Sequence, residues 1–552
     1  MTAIAFVGAG PRTIGLLERL AANLSALPAP RLRVHVVDPY PPGGRVWRPD
    51  QSPLLWMNSR AGEVTMFPDD TVRCAGPVRT GPTLAQWAGL PSGTFPSRRA
   101  AGRYLRWCFG RIAGSLPSTV DIVQHRTRAV RLCGRTVELA DGDRVETDLV
   151  VLAQGNIDGR DERYGAGHLP PAYTADADLS FLPAGADVIV RGLGLAFVDL
   201  MMLLTEGRGG TFHRGADGVL RYRRNGAEPV LWAGSRRGVP YLPKPDPAAL
   251  TGPPPPSTGP APGSGSAVPA DPDAFWPAVC KELGWAYYHE LCATRRDRTA
   301  MPWPDFAGRY ASLAWGSDGM RALVAEAVPD PADRFDPDAL ADPLAGKAFA
   351  SEEALAGWLR RRIAGTVAAP DRYAAILPAL LRIGDRLSGP ALGRLAKLSA
   401  FLGSGPPPYR LEQLCALSRA GVVRFLGRLP AVTVDGGMFV AHSATLRYPV
   451  TARFLVDARL PDDDVRCGDP LLAGLVRDGA AIRGGRLVVD PDTFQVLDTA
   501  GRPHPERLAL GAFATAGRLG SFARPRSDAA FFRQNDAVAR WLLHHVSAGA
   551  QR

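Results

Sequence analysis

Residues 4–15 read IAFVGAGPRTIG, and the interpretation of the whole chain starts from this short stretch. The apolar run before Gly8 has the composition of a buried parallel strand, and leucines recur at helical spacing after Ile14. Gly8 permits a tight turn from strand to helix, and Gly10 lets a pyrophosphate approach the backbone at the amino end of that helix. The third position of the G-x-G-x-x-G pattern holds Thr13, so the pattern is incomplete. Taken alone, the stretch indicates either a nucleotide site or an ordinary glycine-rich turn.

The next predicted strand favours the nucleotide site. Residues 32–37 (LRVHVV) form a second apolar run, which ends on Asp38. A carboxylate at this distance from the glycine turn accepts the ribose hydroxyls of an adenosine. Strand, turn, helix, strand and acid in this order predict a site for the ADP half of a dinucleotide. We assign this first nucleotide cradle to FAD.

A second stretch, residues 188–199 (VIVRGLGLAFVD), repeats the pattern. We expect it to contact a nucleotide through Gly192, Gly194 and Leu195. The following strand, in residues 228–238 (EPVLWAGSRRG), ends not on a carboxylate but on Ser235, Arg236 and Arg237. A carboxylate would accept the 2′-hydroxyl of NAD, whereas a serine with guanidinium groups suits the 2′-phosphate of NADP. The sequence therefore predicts NADPH at the second cradle, although arginines that are simply exposed in a turn would look the same.

The composition narrows the class of protein. The chain has 552 residues, of which 46% are hydrophobic, and this is enough to form two or three domains with a large core. The net charge of +11 would be compatible with nucleic-acid binding, but the sequence contains no stripe of basic residues interleaved with aromatic residues. The seven cysteines form no C-x-x-C pair, and the nine histidines show no metal-binding spacing. We therefore predict no nucleic-acid partner and no metal site.

Membrane insertion is not predicted either. The most apolar long stretch, residues 188–204, contains Arg191 and Asp199 and is better explained as a strand, turn and helix. A predicted strand begins at once, with no signal peptide before it. The expectation is a cytoplasmic protein without a membrane partner. Its oligomeric state is left open.

The order of the motifs predicts an α/β fold with two interleaved Rossmann-like dinucleotide-binding domains, for FAD and NADPH, and a helical insertion. An apolar strand in residues 144–160 (RVETDLVVLAQGNIDGR) is expected to end the first part of the FAD domain, after which the chain enters the second domain. Two later strand-like runs, in 453–461 and 507–517, are expected to complete the two domains. The predicted segments are 1–165 (first part of the FAD domain), 185–245 (first part of the NADPH domain), 246–272 (a Pro- and Gly-rich linker), 273–425 (the helical insertion), 426–462 (second part of the NADPH domain) and 463–552 (C-terminal part of the FAD domain).

Longer motifs resemble a known family. They are GAGPRTIGLLERL (8–20), DPYPPGGRVWRPDQSPLLWMNSRAGEVTMFPD (38–69), FPSRRAAGRYLRW (95–107), LAQGNID (152–158), GLGLAFVDLMMLLTEGRGG (192–210), SRRGVPY (235–241), DPLAGKAF (342–349) and RPRSDAAFFRQNDA (524–537). These motifs are similar to those of actinomycete-type FAD-NAD(P)-binding proteins, which are distant relatives of the flavin-dependent N-hydroxylating monooxygenases. Some members resemble aspartate N-monooxygenases that form nitrosuccinate. The resemblance extends over nearly the whole chain and implies FAD and NADPH as cofactors.

The resemblance also implies contact residues. For the FAD pyrophosphate they are Gly8, Gly10, Pro11, Arg12 and Thr13, with Asp38 at the ribose. Near the flavin ring they are Val46, Trp47, Met57, Asn58, Arg98, Tyr104, Gly155, Gly511, Ser527 and Asp528, of which the last two are expected to begin a helix. Trp47 could equally be a core aromatic residue, and Arg98 a surface cation. The candidates for holding an acidic substrate are Asn58, Arg60, Lys244, Arg524 and Arg526.

The reaction that the resemblance implies needs little from protein acids and bases. A C4a-hydroperoxyflavin formed from reduced FAD and O2 would pass oxygen to the nitrogen of a small amine or amino acid, with aspartate as one candidate, in a biosynthetic pathway. This agrees with the lack of a recognisable catalytic triad, and no side chain is assigned a certain catalytic role. Two alternatives stay open: an NADPH-dependent flavin reductase or oxidase without oxygen insertion, and a non-catalytic regulatory module that binds FAD or NADP.

Overall fold

The computed structural model describes residues 1–27, 31–159, 164–246, 272–384, 389–461, 464–516 and 520–549. The linker predicted in residues 246–272 lies almost entirely outside the described residues. The chain divides into two compact units. Unit 1 comprises Met1–Asp178 and Arg459–Arg552, and unit 2 comprises Leu179–Ala458.

Unit 1 is built around a mostly parallel sheet. Its first part contains β1 (Thr2–Val7), α1 (Pro11–Asn23), β2 (Leu32–Val37), α2 (Leu84–Ala88), α3 (Arg98–Ala113), β3 (Val120–His125), β4 (Ala129–Cys133), β5 (Thr136–Leu139), β6 (Arg144–Glu146), β7 (Leu149–Leu152) and β8 (His168–Leu169). The sheet order is β20-β21-β7-β1-β2-β3, in which β20 (Gln495–Leu497) and β21 (Pro503–Ala509) come from the C-terminal part of the chain. Because β1 pairs in parallel with both β2 and β7, its carboxyl end lies in the middle of the sheet edge.

The alternation of side chains along β1 divides the core of unit 1 into two layers. Ile4 and Phe6 belong to one buried cluster, which also contains side chains of α1, α3 and the C-terminal helix. Ala5 and Val7 belong to the other cluster, which includes residues of β4, β5 and β6. Successive strand residues point to opposite faces, so an unbroken apolar run is what a strand covered on both faces requires. The fully apolar stretch before Gly8 thus has a packing reason.

The C-terminal part of unit 1 contains α13 (Pro470–Arg477), β18 (Ile482–Arg483), β19 (Arg486–Leu487), β20 (Gln495–Leu497), β21 (Pro503–Ala509) and α14 (Ala530–Gly549). Strand β21 lies parallel to β7, and β20 is antiparallel to β21. The helix expected to begin at Ser527 and Asp528 begins at Ala530 instead. Asp528 has a φ of 43°, which is incompatible with a right-handed helix and explains the later start.

Unit 2 contains a second parallel arrangement. Its strands are β9 (Asp187–Arg191), β10 (Thr211–Arg214), β11 (Leu220–Arg223), β12 (Val230–Ser235), β13 (Val423–Arg428), β14 (Ala431–Asp435), β15 (Met438–His442), β16 (Val450–Ala452) and β17 (Phe454–Asp457). Strands β13, β12, β9 and β17 lie side by side in this order, and each pair is parallel. As in unit 1, the strand before the glycine turn lies between two parallel neighbours. The predicted α/β class, with two Rossmann-like parallel sheets, is confirmed.

Among the described residues between β12 and β13, the regular elements are helices. In unit 2 the helices are α4 (Leu195–Leu204), α5 (Pro272–Thr294), α6 (Trp303–Ser312), α7 (Asp318–Ala327), α8 (Pro337–Ala341), α9 (Glu352–Ala368), α10 (Ile376–Gly384), α11 (Gly389–Gly403) and α12 (Pro408–Arg419). Helix α9 is capped by Ser351, whose Oγ accepts a hydrogen bond from the Ala354 N–H at 3.3 Å. Within the described ranges, no helix is both long and apolar enough to cross a membrane.

Candidate active site

The first glycine turn has the geometry of a nucleotide cradle. Gly8 has a φ of 108°, and a Cβ atom there would lie 2.5 Å from the carbonyl oxygen of Ala153. Thr13, which replaces the third glycine, donates its Oγ1 hydrogen to the Gly8 carbonyl at 2.6 Å and thus closes the turn. A Cβ at Gly10 would meet nothing within 4 Å, which leaves the space in front of the α1 amino end open. An anion can therefore reach the amides and the positive dipole at this end of α1.

Asp38 lies at the end of β2, next to the turn. Its Oδ2 accepts a hydrogen bond from the Ala9 N–H at 2.7 Å, and its Oδ1 accepts one from the Tyr40 N–H at 2.8 Å. Burial raises the pKa of Asp38, and these two hydrogen bonds oppose the rise because they favour the carboxylate. Each carboxylate oxygen has a further lone pair, which a ribose hydroxyl can use. Asp38 therefore both holds the turn in place and offers acceptors to a nucleotide.

A cavity in unit 1 brings together many of the predicted residues. It is lined by Gly8, Gly10, Pro11, Arg12, Asp38, Val46, Trp47, Gly155 and Gly511. The loop that carries Val46 and Trp47 is tied to the turn, because the Gly43 N–H donates to the Ala9 carbonyl at 2.8 Å. Trp47 packs edge-on against Phe522, with 4.8 Å between the ring centroids. Residues that are far apart in sequence thus form one continuous wall.

Other predicted FAD residues are not among the described residues that line this cavity. Thr13 and Tyr104 are fully buried and Met57 is 2% exposed, so all three belong to the protein interior. The Tyr104 hydroxyl donates to the Pro82 carbonyl at 2.7 Å. Asn58 and Arg98 are half-buried and also lie outside the cavity lining. Core packing and this hydrogen bond together hold the Tyr104 side chain.

Ser527 and Asp528 have partners of their own. The Ser527 Oγ donates to the Arg524 carbonyl at 2.7 Å. The Asp528 carboxylate accepts hydrogen bonds from the backbone N–H of Arg73 at 2.9 Å and from its Nε at 2.6 Å. The bonds from Arg73 lower the pKa of Asp528 to about 2. Asp528 is therefore an ion-paired surface residue, and neither residue is among the described residues that line the cavity.

Arg12 supplies a cation to the cavity wall. Its Nη1 donates to Asn535 Oδ1 at 2.9 Å, and its Cζ lies 5.1 Å from the ring centroid of Phe531. Burial lowers the pKa of Arg12 to about 10, because desolvation disfavours the charged guanidinium. A bound pyrophosphate would reverse this effect by supplying negative charge nearby. The open Gly10, the desolvated Arg12 and the acceptors of Asp38 therefore fit the ADP half of FAD.

The sequence did not reveal an ionic network beside the same cavity. Arg45 Nε contacts Asp176 at 2.6 Å, and Arg45 also pairs with Asp158. The Arg45 Cζ lies 4.4 Å from the ring centroid of Tyr173. Arg48 Nη1 contacts the same Asp176 at 2.5 Å. The motif PPGGRVW identifies the loop that carries Arg45. The acidic partners of Arg45 lie more than a hundred residues further along the chain, and the sequence around them does not indicate this pairing.

The second glycine turn, in unit 2, repeats the geometry of the first. Gly192 has a φ of 135°, and a Cβ there would lie 2.4 Å from the Ala458 carbonyl oxygen. A Cβ at Gly194 would lie 3.6 Å from the ring of Tyr241, and α4 begins at Leu195. The strand before each turn ends between parallel neighbours, so both turns project from the middle of a sheet edge.

The two arginines after β12 differ from each other. The Ser235 Oγ accepts the Gly238 N–H at 2.9 Å and stabilises the turn that carries them. Arg237 Nε donates to the Ala341 carbonyl at 2.8 Å, its Cζ lies 4.0 Å from the Phe401 centroid, and burial lowers its pKa. Arg236 is exposed and makes no hydrogen bond or ion pair with the residues that the structure describes. Of these two arginines, Arg236 is therefore the one whose guanidinium is uncommitted in the described part of the chain.

The substrate candidates fall into two groups. In unit 1, Arg60 and Arg524 both approach Glu63 Oε1, with nitrogen–oxygen distances of 3.9 and 3.1 Å. The Arg60 side chain is only 12% exposed, and its Cζ lies 5.0 Å from the Phe95 centroid. Arg526 is exposed and lies 3.5 Å from Asp70. In unit 2, Lys244 Nζ donates to the Gly403 carbonyl at 2.7 Å.

In the described part of the chain, no group of three or more His, Cys, Asp or Glu side chains is placed to hold a metal ion. Two glycine cradles, a carboxylate at the first and a serine with arginines at the second define a protein that binds two dinucleotides. The fold and the site thus place the chain among the two-nucleotide flavoproteins.

Comparison with known proteins makes the assignment more specific. The family profile described as FAD-NAD(P)-binding matches residues 5–157. An L-aspartate N-monooxygenase (nitrosuccinate-forming) from Streptomyces davaonensis is 34% identical over 98% of this chain and 97% of the relative. Nitrosuccinic acid synthase from Aspergillus oryzae is 34% identical over 99% of this chain and 93% of the relative. The reduced form of ornithine hydroxylase from Pseudomonas aeruginosa covers 99% of both chains at 12% identity, with a TM-score of 0.44.

The chain belongs to the family of these nitrosuccinate-forming N-monooxygenases. It is a monooxygenase of the FAD-NAD(P)-binding type, so the predicted family, the enzyme class and the pairing of FAD with a nicotinamide dinucleotide are confirmed. The finer question is what the enzyme oxidises and which side chains hold that substrate.

Proposed function

We propose that this enzyme oxygenates the amino nitrogen of L-aspartate in a biosynthetic pathway of the cytoplasm. The full-length similarity to two bacterial aspartate N-monooxygenases and a fungal nitrosuccinic acid synthase carries this proposal. In the first step, the amine RNH2, O2, NADPH and one proton give RNHOH, NADP⁺ and water. Bound FAD supplies the route for the electrons of NADPH and the activation of O2. The protein has to bind both nucleotides, position the amine and exclude water.

The residues of unit 1 fit the FAD that this reaction needs. Gly10 leaves space for the pyrophosphate, Arg12 adds positive charge, and Asp38 offers acceptors to the ribose. The predicted contacts of Pro11, Val46, Trp47, Gly155 and Gly511 remain part of this proposal, because all five line the same cavity. For Thr13, Met57 and Tyr104 we propose an indirect role, in which they support the turn and the core behind the cavity.

Aspartate brings two carboxylates, so its site must supply cations in a partly desolvated setting. Among the candidates, Arg60 and Arg524 have the most suitable arrangement, since both approach the single carboxylate of Glu63. Two guanidinium groups converge at this point, and a carboxylate can accept hydrogen bonds from both. We propose that these two arginines bind substrate, with Asn58 and Arg526 as further candidates in unit 1 and Lys244 in unit 2.

The reaction is tested by oxygen and NADPH consumption with aspartate, ornithine, lysine and simple amines, and products are identified by mass. We expect aspartate to stimulate both rates and to yield an N-oxygenated product. If every amine leaves the rates unchanged and all the oxygen is recovered as peroxide, the enzyme is a reductase or oxidase and the proposal fails.

Arg60→Gln is expected to raise the apparent KM for aspartate at least about tenfold while flavin content stays normal. The reason is that losing a charged hydrogen-bond partner costs roughly 1.5–3 kcal/mol, and about 1.4 kcal/mol corresponds to tenfold. Initial rates over a range of aspartate concentrations measure this effect. Arg103→Gln, on the exposed face of α3, removes the same charge and should leave KM unchanged. An unchanged KM in Arg60→Gln would exclude Arg60 as a substrate ligand.

Arg236→Ala is expected to raise the KM for NADPH at least about tenfold and to leave the KM for NADH nearly unchanged. A guanidinium bound to the 2′-phosphate contributes roughly 1.5–3 kcal/mol, and NADH has no such phosphate. Arg237→Ala provides the comparison, because its contacts with Ala341 and Phe401 are structural. It should lower the thermal midpoint and affect both nucleotides alike. Equal losses for both nucleotides in Arg236→Ala would contradict a role at the 2′-phosphate.

A further inference from the structure

A second cavity lies in the helical part of unit 2, and none of the residues assigned to either nucleotide cradle lines it. Its volume is about 450 Å³, which is in the range of small-molecule sites. One wall is a single face of α9, which presents Trp358, Arg361, Arg362, Gly365 and Thr366. This spacing of three and four residues is that of one helix face. The remaining lining residues are Leu242, Pro243, Ala369, Pro370, Arg372 and Tyr373.

The charge of this cavity is unbalanced. Arg361, Arg362 and Arg372 line it, and no Asp or Glu is among its described lining residues. Arg372 is partly neutralised, since its Nη2 lies 3.6 Å from Asp333. Arg361 and Arg362 make no hydrogen bond or ion pair within the described ranges. Two guanidinium groups on adjacent positions therefore face the cavity without a protein anion.

The charge of Arg362 is energetically unfavourable in this cavity without an anion beside it. It is half-buried, and its Cζ lies 5.9 Å from the ring centroid of Trp358. Burial lowers the pKa of Arg362, which means that desolvation disfavours its charge. The dipole of α9 does not explain its position, because the helix ends at Ala368, more than one turn further on, and the dipole acts mainly in the last turn.

We propose that this cavity binds a small, multiply charged oxyanion, with Arg361 and Arg362 as its principal ligands. A guanidinium donates two parallel hydrogen bonds to a phosphate or carboxylate, and both groups share this recognition chemistry. The rings of Trp358 and Tyr373 close the sides of the cavity. Gly365 provides the room, because a Cβ at this position would meet nothing within 4 Å.

The first test uses the full-length protein with FAD bound. Pyrophosphate and malonate are titrated in separate calorimetry experiments, against sodium chloride at matched ionic strength. We expect saturable binding of at least one probe, and the better probe tells whether the ligand is a phosphate or a carboxylate. Arg362→Gln should weaken this binding at least roughly tenfold, which is the loss expected for one charged hydrogen-bond partner.

Arg360→Gln is the matched control, because it removes the same charge from the neighbouring position. Arg360 Nη1 donates to Ser418 Oγ at 3.0 Å instead of lining the cavity. This variant should retain the affinity of the unmodified protein. Equal weakening in both variants would mean that the probes sense only net charge, and the proposed site would be wrong.

Gly365→Leu tests the cavity without removing a ligand. The leucine should fill the open space and prevent anion binding, while the thermal midpoint without anion should not fall, because glycine disfavours a helix interior. Saturating NADPH should leave pyrophosphate binding intact. If NADPH displaces the probe, the anion occupies the nucleotide cradle, and the proposal of a separate site fails. It also fails if the unmodified protein binds neither probe.

Discussion

Gly10→Leu is expected to give a folded protein that no longer retains FAD. The backbone of Gly10 has a φ of −75°, which leucine adopts without strain, and the Cβ would enter open space. The rest of the leucine side chain would then occupy the position where the pyrophosphate must approach the amino end of α1. Losing two charge-assisted hydrogen bonds costs roughly 3–6 kcal/mol, so FAD affinity should fall at least about a hundredfold.

The measurement is the flavin absorbance of the purified protein, together with circular dichroism to establish folding. Gly110→Leu is the matched control, because Gly110 is exposed in α3 and its Cβ would also meet nothing within 4 Å. This control should retain FAD fully. A Gly10→Leu protein with a normal flavin content would show that the pyrophosphate does not bind at this turn.

Arg19→Met is expected to destabilise unit 1 by about 3–5 kcal/mol. The Arg19 side chain is fully buried, and its Nε lies 2.5 Å from Glu18 while Nη1 lies 3.6 Å from Asp536. Both acidic side chains are at least 96% buried, so removing the cation leaves two buried carboxylates without their main counter-charge. The network joins α1, which carries the FAD cradle, to α14.

The effect is measured as a fall of the thermal midpoint, with FAD present at the same saturation in both proteins. Arg309→Met is a suitable control, since Arg309 and Glu326 form an ion pair in which both side chains are about half exposed. Pairs of that kind contribute about 0–1 kcal/mol. If Arg19→Met lowers the thermal midpoint no more than Arg309→Met does, the network does not stabilise unit 1.

Residue type and spacing were enough to identify the two cradles. The strand that was predicted in residues 32–37 is β2, and β1 ends at Val7, directly before Gly8. Thr13 counted against the motif, yet its hydroxyl closes the turn onto Gly8. Such features are predictable because backbone turns, helix starts and strand faces depend on residues only a few positions apart.

The sequence could not distinguish between two neighbouring residues of equal chemistry. Arg236 and Arg237 are indistinguishable in the motif SRRG. Only the folded structure shows that Arg237 contacts the Phe401 ring and the Ala341 carbonyl and that its guanidinium is therefore already bound. Tyr104 likewise shared a motif with flavin-site residues, but its burial places it in the core. The environment of a side chain depends on which elements pack around it, and those elements lie elsewhere in the chain.

By itself, the sequence determined the α/β class, the two nucleotide cradles and, through family resemblance, the flavin-dependent chemistry. Only the tertiary structure decided the long-range ionic contacts, such as Arg45 with Asp176, 131 residues away, and Arg19 with Asp536. It also decided that Arg361 and Arg362, which lie within a simple basic run, face a cavity. The physical reason is the range of the interactions: local backbone geometry follows from adjacent residues, whereas charge pairing and burial depend on distances that exist only after the chain has folded.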